Sequence, residues 1–153
     1  MNEVGQEDDD IKEEMVNLAQ AIEKLQSATI LLENGFNNDS VSRAYYAVFH
    51  AIVGLLRQAK ISLDVHKHAF ILSQFRLQFI VTGVFPDQMF QKILHIKIAR
   101  EQSDYSSSPG IDADDATRIL DDAKEIVDSV KTYLEAHQIS SDHLPKKEKN
   151  AKK

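Results

Sequence analysis

Arg43, His50 and Arg57 recur at intervals of seven, which places two guanidinium groups and an imidazole on one stripe of any helix containing them. Between them on that stripe stand Ala47 and Gly54, the smallest side chains available. Such a seam, with a small-residue floor and cationic walls, offers anion binding. Arg presents a planar fork of donors to phosphate, and His both binds and transfers a proton near neutral pH. Tyr46 stands next to this stripe and can join Arg43 and His50 in facing a phosphate. The same pattern also suits a second helix packed closely against the floor, with Arg43 paired to a carboxylate and His50 bonded to a backbone carbonyl. Spacing alone fits both readings.

A second polar group continues an apolar stripe. Met89, Ile93 and Ile96 follow one another by steps of four and three, and the next member is Arg100. A guanidinium on a core stripe needs a partner, because an isolated buried charge costs several kcal/mol. Asp104, one turn later, can neutralise it. The Arg-then-Asp order is the weaker orientation for a helix-surface pair, itself worth only about 0.2–0.5 kcal/mol. A structural ion pair and a functional cation are both consistent with Arg100. Tyr105 follows Asp104 and closes the cluster.

Other chemistries lack their residues. The chain of 153 residues has no Cys, which removes disulfides, thiolate nucleophiles and Cys-based zinc sites and fits a reducing cytoplasm. His66 and His68 are two apart and fall on different helix faces, His95 and His137 lie on separate segments, and no Glu-x-x-His or His-Glu-x-x-His pattern occurs. Neither a metal nor a cofactor is expected. There is no Gly-rich phosphate loop, no Gly-x-Ser-x-Gly elbow and no carboxylate pair distinct from the acidic faces. A net charge of −6 argues against a generic nucleic-acid coat but permits a local cationic site. The start is acidic rather than signal-like, and the longest apolar run, Val48 to Leu56, is interrupted by His50 and Gly54 and too short to span a bilayer. No membrane association is expected.

The elements that must position these residues are helices. Five Gly and three Pro leave few turns. Ile11, Met15, Leu18, Ile22, Leu25, Thr29 and Leu32 alternate steps of four and three up to Asn34-Gly35. Asn38, Asp39 and Ser40 can cap a second helix reaching about Lys60, with Val41, Tyr45, Val48, Ile52 and Leu55 inward. Asp64 can start a third, with His68, Leu72, Phe75 and Phe79 on one stripe, ending at Gly83. Pro86 suits the first turn of a fourth, Ser106 to Gly110 reads as a loop, and Ala113 to Leu134 supplies the fifth apolar stripe. The expected fold is all-α: an antiparallel up-and-down bundle of four to five helices over residues 11–138, between a flexible acidic lead-in (1–10) and a disordered Lys-rich tail (139–153).

With these residues in view, the chain resembles small prokaryotic HEPN-domain proteins, the nucleotide-binding family of higher eukaryotes and prokaryotes. The resemblance runs from about Leu25 to Leu134. It rests on Ser42-Arg43-Ala44-Tyr45-Tyr46-Ala47-x-Phe49-His50-Ala51, on His68 with Phe75 and Phe79, on Thr82-Gly83, and on Arg100-x-x-x-Asp104-Tyr105. It implies a bundle that usually dimerises and is often encoded with a minimal nucleotidyltransferase, some such pairs being toxin and antitoxin. Catalytic members are metal-independent ribonucleases with an Arg followed four to six residues later by His. Here Tyr105 stands where that His would be, and a phenol of pKa about 10 is a poor base at neutral pH.

The expected function is therefore a non-catalytic nucleotide- or RNA-binding module. Arg43, Tyr46, His50, His68, Arg100, Asp104 and Tyr105 would form its groove, and a homodimer would serve a nucleotidyltransferase partner. The first alternative is a metal-independent ribonuclease toxin in which Arg100 stabilises the phosphate and His50 or His68 moves the proton. The second is a scaffolding bundle.

Overall fold

A computed structural model describes residues 2–105 and 110–151, with the side chains of 13–105 and 110–137. The apolar periodicities become five α-helices: α1 (Asn2–Glu33), α2 (Asn37–Gln58), α3 (His68–Phe75), α4 (Asp87–Ser103) and α5 (Ala113–Ala151). No strand forms among the described residues, and the fold is an all-α bundle. Helix α1 begins at Asn2 and α5 ends at Ala151. Within the expected lead-in and tail, the side chains of residues 2–10 and 139–151 lie outside those described. So do residues 106–109 of the expected loop.

The centre of the bundle is α2, which packs against each of the other four helices. Its sequence explains this. Of its 22 residues, all but four between Ser40 and Leu56 are buried, an apolar surface too wide for a helix covered on one side only. Gly54 sets the approach of α1. A Cβ there would lie 3.3 Å from Asn17 Cβ and 3.4 Å from the Glu14 carbonyl oxygen, so the absence of a side chain lets the two backbones close together. Gly35, at φ +84°, makes the reversal between α1 and α2, and the Phe36 N–H returns to the Leu31 carbonyl at 2.9 Å.

Two of the three residues expected to cap α2, Ser40 and Asn38, hold the hairpin and the loop instead, and the third, Asp39, is exposed. The helix already begins at Asn37 with no side-chain cap. Ser40 Oγ, fully buried, donates to the Ala28 carbonyl at 2.7 Å and ties α2 to α1. Asn37 Nδ2 donates to the Ile111 carbonyl at 3.1 Å, and Asn38 Oδ1 accepts from the Ile111 N–H at 2.9 Å. These short polar side chains meet backbone groups brought up from elsewhere, which the local pattern does not reveal.

The third segment also departs from its periodicity. Asp64 starts a turn rather than a helix, its carboxylate accepting from the His66 N–H at 3.0 Å, and α3 opens only at His68. At Arg76 the helix widens into a π-helical turn that lasts to Ile80. The wider turn buries Phe79 and Ile80 together, alongside Ile71, Leu72 and Phe75. Pro86 stands just before α4 rather than within its first turn, with the extended backbone (ψ 153°) of an N-cap.

Candidate functional site

On α4, Met89, Ile93 and Ile96 are buried against the bundle, and helical phase carries the next member of the stripe, Arg100, to the edge of α2. Adjacent residues of α2 receive it. Tyr45 is buried and Tyr46 half-buried, their rings meeting edge to face at 5.2 Å. The Arg100 guanidinium carbon lies 5.2 Å from the centroid of each ring, within cation–π range of both. Arg100 Nη2 donates to the Tyr46 hydroxyl at 2.9 Å.

The expected Asp104 pair is present but loose. Arg100 Nε and Asp104 Oδ2 are 3.7 Å apart, an ion pair beyond hydrogen-bond reach, and Nε has no hydrogen-bond partner. The Arg100 side chain keeps 26% of its surface in solvent. Two phenol rings and one hydroxyl thus fix the guanidinium while part of its donor fork stays free. The arrangement has the chemistry of an anion receptor.

His68 completes the cluster from α3. Its Nδ1 lies 3.1 Å from the Tyr45 hydroxyl, and its ring stacks on Phe49 at 4.0 Å. Burial lowers the His68 pKa first, and the positive charges of Arg100 and Lys97, with His66, lower it further. Burial pushes the Tyr45 phenol up to about 12, against the opposing pull of Arg100. The site therefore presents a fixed cation beside a neutral imidazole at pH 7.

The structure brings together four of the residues singled out in the sequence: Tyr46, His68, Arg100 and Asp104. The other three stand apart. His50 is half-buried toward α1, where burial and then Lys24 and Arg57 lower its pKa. Arg43 is exposed, with no hydrogen bond or ion pair among the described residues. Tyr105 is 68% exposed at the end of α4, its N–H bonded to the Gln102 carbonyl. The seam of Ala47 and Gly54 is filled by α1, and Arg57 reaches across to Asn17 Oδ1 at 2.8 Å and Glu13 at 3.4 Å. Its small residues serve helix packing.

Two further residues of the cluster, Tyr45 and Phe49, are not among the expected site residues: the sequence places Tyr45 on the inward stripe and Phe49 only within the motif that carries the family resemblance. Among the described residues no three His, Cys, Asp or Glu side chains stand close enough to hold a metal ion, and no helix is long and apolar enough to cross a membrane.

Comparison with known proteins agrees with this architecture. A Methanocaldococcus jannaschii protein named "Putative toxin" is 34% identical over 126 residues, 82% of this chain and 92% of that protein. A second protein of that organism with the same designation is 28% identical over 124 residues, 80% of this chain and 83% of its own length. A Pyrococcus horikoshii protein named UPF0332 is 43% identical over 72 residues, 47% of this chain and 49% of that protein. The HEPN domain matches residues 16–133, which span all of α2 to α4 and the Arg100 cluster, and the chain belongs to the HEPN family.

Proposed function

We propose that this chain is a non-catalytic HEPN module that binds nucleotide or RNA phosphate at Arg100 and acts with a minimal nucleotidyltransferase, as a homodimer, in a toxin–antitoxin type of pair. One observation carries the reading: a guanidinium oriented by Tyr46 and framed by two phenol rings, with donors left over. Preorganised donors bind phosphate better than mobile ones, because less side-chain freedom is lost on binding. The toxin designation of two relatives supports the paired role.

Thermal unfolding with ATP or a short single-stranded RNA tests the reading. Ligand at about 100 times its dissociation constant stabilises by about 2.7 kcal/mol, a shift easily seen. The shift is expected in the native chain and absent in Arg100→Ala. No shift with either ligand contradicts the reading.

A second reading, a metal-independent ribonuclease toxin, draws on one further observation: the neutral imidazole of His68 stands in the Arg100 cluster and has the right protonation state for a base. It requires RNA cleavage without metal that His68→Ala abolishes.

A further inference from the structure

The Tyr45 hydroxyl carries a single hydrogen, and the residue is 2% exposed. A buried O–H needs an acceptor. Arg100, whose guanidinium carbon lies 5.2 Å from the Tyr45 ring centroid, has only donors and cannot serve. Among the described residues one polar atom lies within hydrogen-bond distance of the hydroxyl, Nδ1 of His68 at 3.1 Å. We propose that Tyr45 is a positioning residue: its O–H donates to Nδ1 of His68, fixes the imidazole as the Nε2–H tautomer, and makes His68 a second hydrogen-bond donor, beside Arg100, for a phosphate oxyanion.

The surroundings favour a neutral ring, as the tautomer requires. His68 is the first residue of α3, where the helix dipole disfavours an added proton. Arg100 and Lys97 face it from α4, and His66 from the preceding turn, while Tyr45, Tyr46 and Phe49 supply uncharged aromatic surface from α2. A neutral imidazole has one N–H and one lone pair. Tyr45 occupies the lone pair, which leaves Nε2–H, with no partner among the described residues, on a half-exposed ring. The consequence is specific. An imidazole whose basic nitrogen is engaged by a buried phenol is suited to recognising phosphate and unsuited to removing a proton from it. This assignment rests on the phosphate-binding reading for its purpose, though not for its geometry.

The test separates the two. In the full chain labelled with nitrogen-15, long-range proton–nitrogen spectra at about pH 7.5, above the ordinary His pKa, are expected to show His68 Nδ1 at an unprotonated and Nε2 at a protonated position. Tyr45→Phe should move both toward tautomer-averaged values. A protonated Nδ1 overturns the assignment. With ATP as probe in equilibrium dialysis, His68→Ala should weaken binding about tenfold, the worth of one good hydrogen bond, whereas His68→Gln, which keeps an amide donor, should retain most of it. Equal losses in both variants overturn the donor role. ATP binding unaffected by Arg100→Ala would instead remove the phosphate site while leaving the tautomer measurement standing.

Discussion

Nη2 of Arg100 donates to the hydroxyl of Tyr46 across 2.9 Å, joining two residues 54 apart in the chain. This bond makes the end of α4 and the middle of α2 one unit. It orients a guanidinium whose ion-pair partner among the described residues, Asp104 at 3.7 Å, is too distant to hydrogen-bond it. The cation is held by aromatic surface and a phenol, neutral groups, and its charge is offset only by the partly exposed Asp104 carboxylate at 3.7 Å.

Tyr46→Phe removes that hydroxyl and keeps the ring. The expected loss of stability is about 0.5–1.5 kcal/mol, the net worth of an ordinary hydrogen bond, because Arg100 can turn its freed donor to water. Phosphate affinity should fall more than stability does, since the orientation of the fork is lost. Urea unfolding and ATP titration on the same variant compare the two effects.

Acid should destabilise the protein through its histidines. The pKa values of His68 and His50 are both lowered, chiefly by burial. A base whose folded-state pKa is depressed binds fewer protons folded than unfolded. Its contribution is present in full above the unfolded value of about 6.5 and is lost as the pH falls through the folded one. Stability measured from about pH 7.5 downward should decline from about pH 6.5, and His68→Gln with His50→Gln should flatten the decline. A stability that rises on acidification through that range contradicts the assignment.

Gly54→Leu should be among the more damaging substitutions of the core. The side chain must enter a space where even a Cβ meets Asn17 at 3.3 Å and the Glu14 carbonyl at 3.4 Å. Overpacking of this kind costs about 1–3 kcal/mol. A urea midpoint equal to that of the native chain would show that α1 is not seated on Gly54.

Ser40→Ala should cost about 1 kcal/mol, the net worth of the buried bond to the Ala28 carbonyl. Its neighbour Asp39 is exposed, and Asp39→Ala should change stability little. Equal effects in denaturant titrations would return Ser40 to the capping role that its sequence position suggests.

The helices were legible because their apolar residues recur at helical spacing, and Arg100 was legible as a break in such a stripe. Met89, Ile93 and Ile96 are buried, and the Arg continuing them is half-buried beside Asp104. The composition of the cluster was not legible in the same way. Tyr45 and His68 are 23 residues apart, and only the packing of α3 on α2 brings phenol and imidazole together. Arg43, His50 and Tyr46 differ by modest rotations about the α2 axis. Which of them faces Arg100 and which faces α1 depends on how the neighbouring helices are seated. The π-helical turn at Arg76–Ile80 also lacks a local signature, since the seven-residue sum of steps from Leu72 to Phe79 fits a regular α-helix.

The central claim is that Arg100 holds RNA phosphate without cleaving the chain it binds. The most direct test mixes a short end-labelled single-stranded RNA with purified protein in the absence of divalent metal, reading anisotropy for binding and a denaturing gel for cleavage, with Arg100→Ala alongside. RNA is expected bound and intact with the native chain, and unbound with a folded Arg100→Ala variant. RNA cut by the native chain but not by Arg100→Ala, or bound equally by both, would contradict it.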